Sequence, residues 1–204
     1  MPNATILAQL GLFVRRRFLN AESCRQIRRE MNEVARVPAM IRPYGQGDVV
    51  LDDKTRRTGV ANVSAATTAL VEDQLRAVQP ALEAFFHAQS AGWQDLRFYI
   101  YEEGDFFAVH RDASPADRAA PDWAKRRQFS VSILLNDQRS GPDTEPYGGG
   151  TLVFHGRRGG PEGAWFSIPL EAEEGMFVAF PSHWMHEVQP VTSGRRYSIV
   201  TWFI

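Results

Sequence analysis

The sequence predicts a mainly β protein, an all-β sandwich or barrel packed by N-terminal helices. Two observations carry that expectation. After Gly92 the chain breaks into short runs rich in β-branched and aromatic residues, each bounded by Gly, Pro, Asp or Asn; this is the texture of strands joined by turns. Before Gly92, two longer stretches repeat apolar residues every three or four positions, the period of a helix with one buried face. A length of 204 residues, 44% hydrophobic and 23% charged, suits one globular domain with a sizeable core. It is expected as a helical part over 1–92 and a β core over 93–204.

The first helix is expected within FLNAESCRQIRREMNEVARVP. Asn20 is placed to cap it, Cys24, Ile27, Met31 and Val34 form its apolar stripe, and Pro38 stops it. The stretch IRPYGQGDVVLDDKTRRTGVANV reads as an irregular connection around a short strand at 48–51. The second helix lies in SAATTALVEDQLRAVQPALEAFFHA, capped by Ser64, with Leu70, Val71, Leu75, Val78, Leu82 and Phe85 as its stripe. Pro80 is expected to kink it or to start a second short helix, because proline has no N–H to give. His87 falls near its end and reads as a surface residue. The strand candidates are DLRFYIY, DFFAVH, RQFSVSILLN, GGTLVFH, GMFVAF, EVQPV and RRYSIVTWF. The one long break between them is 112–128, DASPADRAAPDWAKRRQ.

The totals exclude some partners. A formal net charge of −1 gives no electrostatic reason to expect nucleic acid or an anionic membrane. Arg15, Arg16 and Arg17 form a local basic cluster that reads as a solvated, salt-bridged face. The single cysteine, Cys24, permits no intrachain disulfide and falls on a helix stripe, so it reads as a small core residue. No apolar run approaches the ~20 residues needed to span a bilayer, and the N-terminus lacks a signal peptide's order of features. The protein is therefore expected to be soluble and cytoplasmic.

The chemistry begins at the end of DFFAVHRD. On a strand, residues two apart face the same side, so His110 and Asp112 can reach one ion while Arg111 points away. Alone this is a weak signal, since a strand-end Asp also caps turns. A histidine from a distant strand strengthens it. His186 opens the strand candidate that follows PSHWM, with Val188 on its side, whereas His183 lies in the turn. His186 is therefore the expected third ligand and His183 a rim or supporting residue. Two imidazoles and one carboxylate suit non-haem iron(II) with an open face; zinc takes the same donors. In RRYSIVTWF, alternation puts Arg196, Ser198, Val200 and Trp202 on one face and Arg195, Tyr197, Ile199, Thr201 and Phe203 on the other. It does not say which face is inside. An arginine pointing into a barrel is costly unless a carboxylate of the protein or of a ligand meets it.

These residues resemble the 2-oxoglutarate- and iron(II)-dependent dioxygenases, in the prolyl-4-hydroxylase-like branch. The resemblance runs through YIYEEGDFFAVHRD, RRQFSVSILLND, YGGGTLVF and GMFVAFPSHWMHEVQPVTSGRRYSIVTWF, over 95–204; FLNAESC and KTRRT fit more loosely. It implies a double-stranded β-helix, or jelly-roll, core. It implies Fe(II) held by His110, Asp112 and His186, with 2-oxoglutarate and O2 as cosubstrates and ascorbate as a reductant. Arg196, directly before Tyr197, would then point inward to the far carboxylate of 2-oxoglutarate and Arg195 outward. Tyr101 matches a second 2-oxoglutarate contact, with Tyr99 on the same face as the fallback. The glycines at 148–150 match a turn that opens an inner strand. The implied reaction is decarboxylation of 2-oxoglutarate to succinate and CO2 coupled to hydroxylation of an unactivated C–H. It needs no catalytic acid or base beyond the metal ligands.

The substrate expected from this branch is a prolyl residue in a peptide or protein, with a small molecule as the alternative. Candidate walls are the 112–128 loop with Trp123 and Arg127, the VVLDDKTRRTG segment, and Trp184. The loop reads as a lid with no structure of its own and little to bury except Trp123. Two other classes share the three ligands. A zinc hydrolase would leave Arg196 without a partner, and a non-catalytic binding module on the same fold would normally have lost a ligand.

Overall fold

The structure is a computed structural model that describes residues 4–43, 45, 48–114, 117–138, 145–158 and 162–204. In chain order its elements are α1 (Ala4–Gln9), β1 (Phe13–Arg15), α2 (Ala21–Glu33), β2 (Arg36–Pro38), β3 (Arg56–Arg57), β4 (Gly59–Ala61), α3 (Ala65–Phe86), β5 (Arg97–Tyr101), β6 (Phe106–His110), α4 (Asp122–Lys125), β7 (Phe129–Leu134), β8 (Gly148–Gly149), β9 (Leu152–Arg158), β10 (Ala164–Leu170), β11 (Met176–Pro181), β12 (Met185–Val188), β13 (Val191–Ser193) and β14 (Arg196–Phe203). A seven-stranded sheet runs β1-β11-β7-β14-β5-β4-β2 and a five-stranded sheet runs β10-β9-β12-β6-β3; β13 pairs with β8. Neighbours are antiparallel throughout.

The large sheet is covered on both faces, and this organises the molecule. Its outer face carries Ile133, Phe177, Ile199 and Phe203, packed against Cys24, Ile27 and Met31 of α2 and Val71, Leu75, Val78 and Leu82 of α3. Its inner face carries Tyr99, Tyr101, Leu134 and Val178, packed against Leu152, Phe154, Ile168 and Val188 of the small sheet. These two facing antiparallel sheets are the jelly-roll core. Arg28 ties α2 to that core: its buried guanidinium donates to the Leu135 carbonyl and pairs with Glu174 at 2.6 Å.

Both long helices start where expected. Asn20 accepts from the Ser23 amide at 2.8 Å and Ser64 from the Thr67 amide at 3.3 Å, satisfying orphan N–H groups. Other expectations need correction. The first helix ends at Glu33 rather than at Pro38, because Val34 is already extended and Arg36–Pro38 pairs with β4. The expected strand at 48–51 is a single bridge, Ile41 to Val50; the strands of that region are β3 and β4. The N-terminal part is thus not simply helical, since β1 to β4 enter the two main sheets. The edge strand β10 was not among the strand candidates; it contains Pro169, which an edge position tolerates. The 112–128 loop contains α4 and buries Asp117, Ala120 and Ala124, while Trp123 stays 40% exposed. Positions 115 and 116 of that loop lie outside the described residues. Among the described residues, no helix is long and apolar enough to cross a membrane.

Pro80 does not divide the helix: α3 runs from Ala65 to Phe86 across it, to an αL cap at His87, φ 52°. The proline sits on the exposed face, where water can take the Arg76 carbonyl that loses its helical partner. An exposed interior proline still costs helix stability relative to alanine, by up to about 3 kcal/mol, less what proline gains by stiffening the unfolded chain. Pro80→Ala is expected to stabilise the protein by about 1–2 kcal/mol, read as a higher urea midpoint at unchanged slope. A lower midpoint would mean that α3 needs the proline's geometry.

Candidate active site

His110, Asp112 and His186 converge at one end of the small sheet. Each offers a ligand atom, and these atoms all lie within 4.8 Å of one another. The convergence is set by strand register. His186 on β12 pairs directly with His110 on β6, and the register then shifts so that Val188 faces Phe107. This bulge turns Phe107 onto the histidine's side, where its ring stacks on His110 at 3.5 Å. Asp112 follows the strand end, its amide and that of Ala113 both donating to the Ser182 carbonyl, at 3.0 and 2.9 Å.

The imidazole tautomers follow from their partners. His110 Nδ1 lies 2.8 Å from the Ala108 carbonyl and His186 Nδ1 lies 3.0 Å from the Trp184 carbonyl. A carbonyl only accepts, so each Nδ1 carries the proton and donates it. Each Nε2 lone pair is left facing the Asp112 carboxylate, 3.6 Å from Oδ1 and Oδ2 respectively. Burial alone would raise the Asp112 pKa, but His186, His110 and Arg127 together hold it well below the usual carboxylate range. Burial, joined by His110, pushes His186 down to about 4 against the pull of Asp112. A carboxylate and two neutral imidazoles are the protonation states that a metal requires.

The cluster opens into a cavity of about 1020 Å3 between the sheets. Arg196 lies in it, 2% exposed. Its Nη1 donates to Ser198 Oγ at 2.8 Å and its guanidinium sits 5.1 Å from the Tyr101 ring centroid. Its Nε has no partner, and among the described residues no carboxylate pairs with it. Glycine is required beside it: at Gly150 φ is +58°, and a Cβ there would come within 3.1 Å of Arg196 Cδ. Arg195 points the other way, half exposed and 3.3 Å from Glu102. Tyr101 and Tyr99 are buried and line the same cavity.

The remaining predicted residues divide. Trp123 and Arg127 line the cavity, but Arg127 is largely committed: Nε donates to Gln94 at 2.9 Å, Nη1 to the Asp112 carbonyl at 3.2 Å, and the guanidinium stacks 3.5 Å over Trp202. Trp184 and His183 are not among the cavity's lining residues. They border a second pocket of about 630 Å3, which shares Arg111 with the cavity, and His183 is exposed. Four lining or supporting residues were not singled out, although Arg56 falls in the VVLDDKTRRTG segment expected as a wall. Arg56, 7% exposed, is held between the Tyr99 and Phe107 rings at 4.1 and 4.3 Å. Tyr147 is buried and hydrogen-bonded to Arg196; burial pushes its phenol pKa up while Arg196 pulls it down. Ser130 and Ser182 are buried beside Asp112. A legible signal existed for Ser130: serines at 130 and 132 alternate with Val131 and Ile133 in FSVSIL, marking one face of the strand as polar.

The comparisons agree with this arrangement. Residues 96–204 match the family described as the 2OG-Fe(II) oxygenase superfamily, and the chain belongs to that family. A PKHD-type hydroxylase of Shewanella sp. (strain MR-7) is 36% identical over 105 residues, covering 52% of this chain and 40% of the relative. The match thus spans less than half the length of such curated relatives. A Pseudomonas putida prolyl-4-hydroxylase superposes with a TM-score of 0.69 at 21% identity, covering 98% of this chain and 95% of that one. A prolyl hydroxylase of Trichoplax adhaerens, solved in complex with a hypoxia inducible factor oxygen degradation domain peptide fragment, gives 0.67 at 13% identity, covering 98% and 86%. At these identities the superpositions establish the shared fold. The residues present also fit the groups that the family's description names: the three-donor cluster suits iron(II), and a buried guanidinium with an unpartnered Nε suits a carboxylate.

The depressed His186 pKa makes a stability claim about the metal-free protein. Its folded value, about 4, lies below the ordinary 6.5, so the unfolded chain takes the extra proton first. Stability from this group is complete above pH 6.5 and is lost as the pH falls toward 4, by about 3 kcal/mol. In chelator, urea unfolding at pH 7 and pH 5 should show about 2 kcal/mol of that loss in the native protein and a flatter dependence in His186→Gln. Equal slopes in the two would show that His186 is not the group responsible.

Proposed function

We propose that the protein is an Fe(II)- and 2-oxoglutarate-dependent hydroxylase acting as a single catalytic domain in a reducing, cytoplasmic setting. One observation carries this reading: a buried arginine, with no carboxylate partner among the described residues, shares a cavity with the His-Asp-His cluster. His110, Asp112 and His186 would hold the iron, each imidazole through Nε2. Arg196 would bind the far carboxylate of 2-oxoglutarate, with Tyr101 and Tyr147 beside it. When bound, iron with 2-oxoglutarate and O2 supplies an oxidant for an unactivated C–H and yields succinate and CO2. The chain's own part is to orient the cosubstrate, position the C–H and keep water out. A zinc hydrolase would use the same cluster but leaves Arg196 unexplained.

A prolyl residue in a peptide or protein is the substrate this reading favours. The superposed Trichoplax adhaerens enzyme is a prolyl hydroxylase that holds a peptide. The mouth of the cavity also fits an extended chain. Val37, Met40, Val49, Val109 and Trp123 line it, and each is at least 40% exposed. A small molecule held inside the cavity would leave that rim uncovered. Across the mouth, Arg42 pairs with the buried Asp117 at 2.8 Å, joining the segment before β3 to the 112–128 loop. The loop is thus a lid with an anchor, and closing it would exclude water from the site.

With Fe(II), 2-oxoglutarate and air, the protein should release succinate, slowly in the absence of a prime substrate. Arg196→Ala should raise the 2-oxoglutarate requirement, with a loss of about 2–5 kcal/mol for a buried anion left unpaired. Arg195→Ala should do far less. Succinate release that is independent of iron, or equal effects from both arginines, would overturn the reading.

A further inference from the structure

Asp112 is the only one of the three clustered residues that does not lie on a strand, so something else must fix its carboxylate. Ser130 Oγ lies 2.6 Å from Asp112 Oδ2, and Ser182 Oγ lies 3.0 Å from Ser130 Oγ. Ser130 is 1% exposed and Ser182 fully buried. The carboxylate only accepts, and a hydroxyl has one proton. Ser130 therefore gives its proton to Oδ2, and its oxygen is free to accept the proton of Ser182. The order is fixed by chemistry: Ser182 to Ser130 to Asp112. Ser182 is itself held, donating its amide to the Gln128 carbonyl at 2.9 Å and accepting both the Asp112 and Ala113 amides. Ser130 sits on β7 between Phe180 of β11 and Trp202 of β14, a central position where an apolar side chain would pack as well. A buried hydroxyl there is costly unless bonded, and its bond goes to Asp112.

We infer that Ser130 and Ser182 form a two-hydroxyl relay that positions Asp112 for the metal. By occupying Oδ2 it stops the carboxylate from rotating and leaves Oδ1 for the ion. Both serines are positioning residues, acting through Asp112. This rests on the metal-binding reading proposed above, and the two can fail separately.

The test uses Co(II) as the metal, in the absence of 2-oxoglutarate and oxygen chemistry, read by its visible absorption and by titration calorimetry. Wild type should bind one Co(II) and His186→Ala should not; if wild type binds none, the metal reading fails. Given wild-type binding, Ser130→Ala should weaken affinity by about 10–100-fold, the range for partners that hold metal ligands. It should also alter the Co(II) spectrum, with the metal-free melting temperature little changed. Ser182→Ala should have a smaller effect. The double variant should be no worse than Ser130→Ala, because Ser182 acts only through Ser130. Ser130→Thr, which keeps the hydroxyl, should recover affinity. Wild-type Co(II) affinity in Ser130→Ala, or additive losses in the double variant, would overturn the relay. Should Ser130→Ala fail to fold, Ser182→Ala decides alone: an unchanged affinity and spectrum would overturn it.

Discussion

The site depends first on one cross-strand pair. His186 faces His110 directly across β12 and β6. Side chains in a sheet alternate with period two, so a slip of one residue would send one imidazole into the cavity and the other to solvent. The hydrophobic pattern guards the register: Phe154, paired with His186 on the other side, and Val188 point inward with it. The bulge that follows brings Phe107 onto the same face as His110, giving that ring an apolar floor and holding Arg56 from its other side. Asp112, Arg196 and the tyrosines are useful only because that register has already placed two nitrogens side by side.

The second constraint is charge. The inner face of the large sheet carries Tyr99, Tyr101, Ser132, Ser198 and Arg196 at the cavity, with Leu134 and Val178 among its apolar residues. A lone guanidinium in such a place is destabilising unless something meets it. Here Ser198 and Tyr147 take part of its donor capacity and the Tyr101 face lies against it. What remains is the Nε donor, unpartnered among the described residues, beside a cavity of about 1020 Å3. The fold thus tolerates a partly compensated charge at a position that borders the cavity.

How much of this could be read in the sequence follows from the same physics. The helix caps Asn20 and Ser64 were legible because capping is a local interaction between neighbours. The cluster was legible because His110 and Asp112 are two apart on one strand and His186 opens another. The orientation of Arg196 was not legible from alternation: β14 is buried on both faces, against helices on one side and the cavity on the other, so polarity does not distinguish inside from outside. Arg56 and β3 were hidden in a stretch rich in Gly, Asp and Arg, where a two-residue strand leaves no periodic trace. The β6 bulge and the commitment of Arg127 are tertiary facts; no local pattern encodes them. Whether Pro80 would divide the helix was not legible, because a proline's effect depends on which face it occupies.

Arg127 changes what the 112–128 loop can be. Read from sequence, it was a cation waiting for substrate. In the structure it is a junction: one arm holds the Asp112 carbonyl, another holds Gln94, Gln94 holds the Trp123 carbonyl, and the guanidinium is stacked between Trp123 and Trp202. Trp123 is on α4, inside the loop, while Asp112 is in the metal cluster. Movement of α4 away from Arg127 would break the Trp123 stack and the Gln94–Trp123 bond, and the same Arg127 holds the Asp112 carbonyl. The far lip of the mouth is joined to the same loop through Arg42 and Asp117. Loop order and the placement of Asp112 are thus one mechanical unit. Arg127 holds the Asp112 backbone while Ser130 holds its carboxylate, so main chain and side chain of that residue are fixed by different partners.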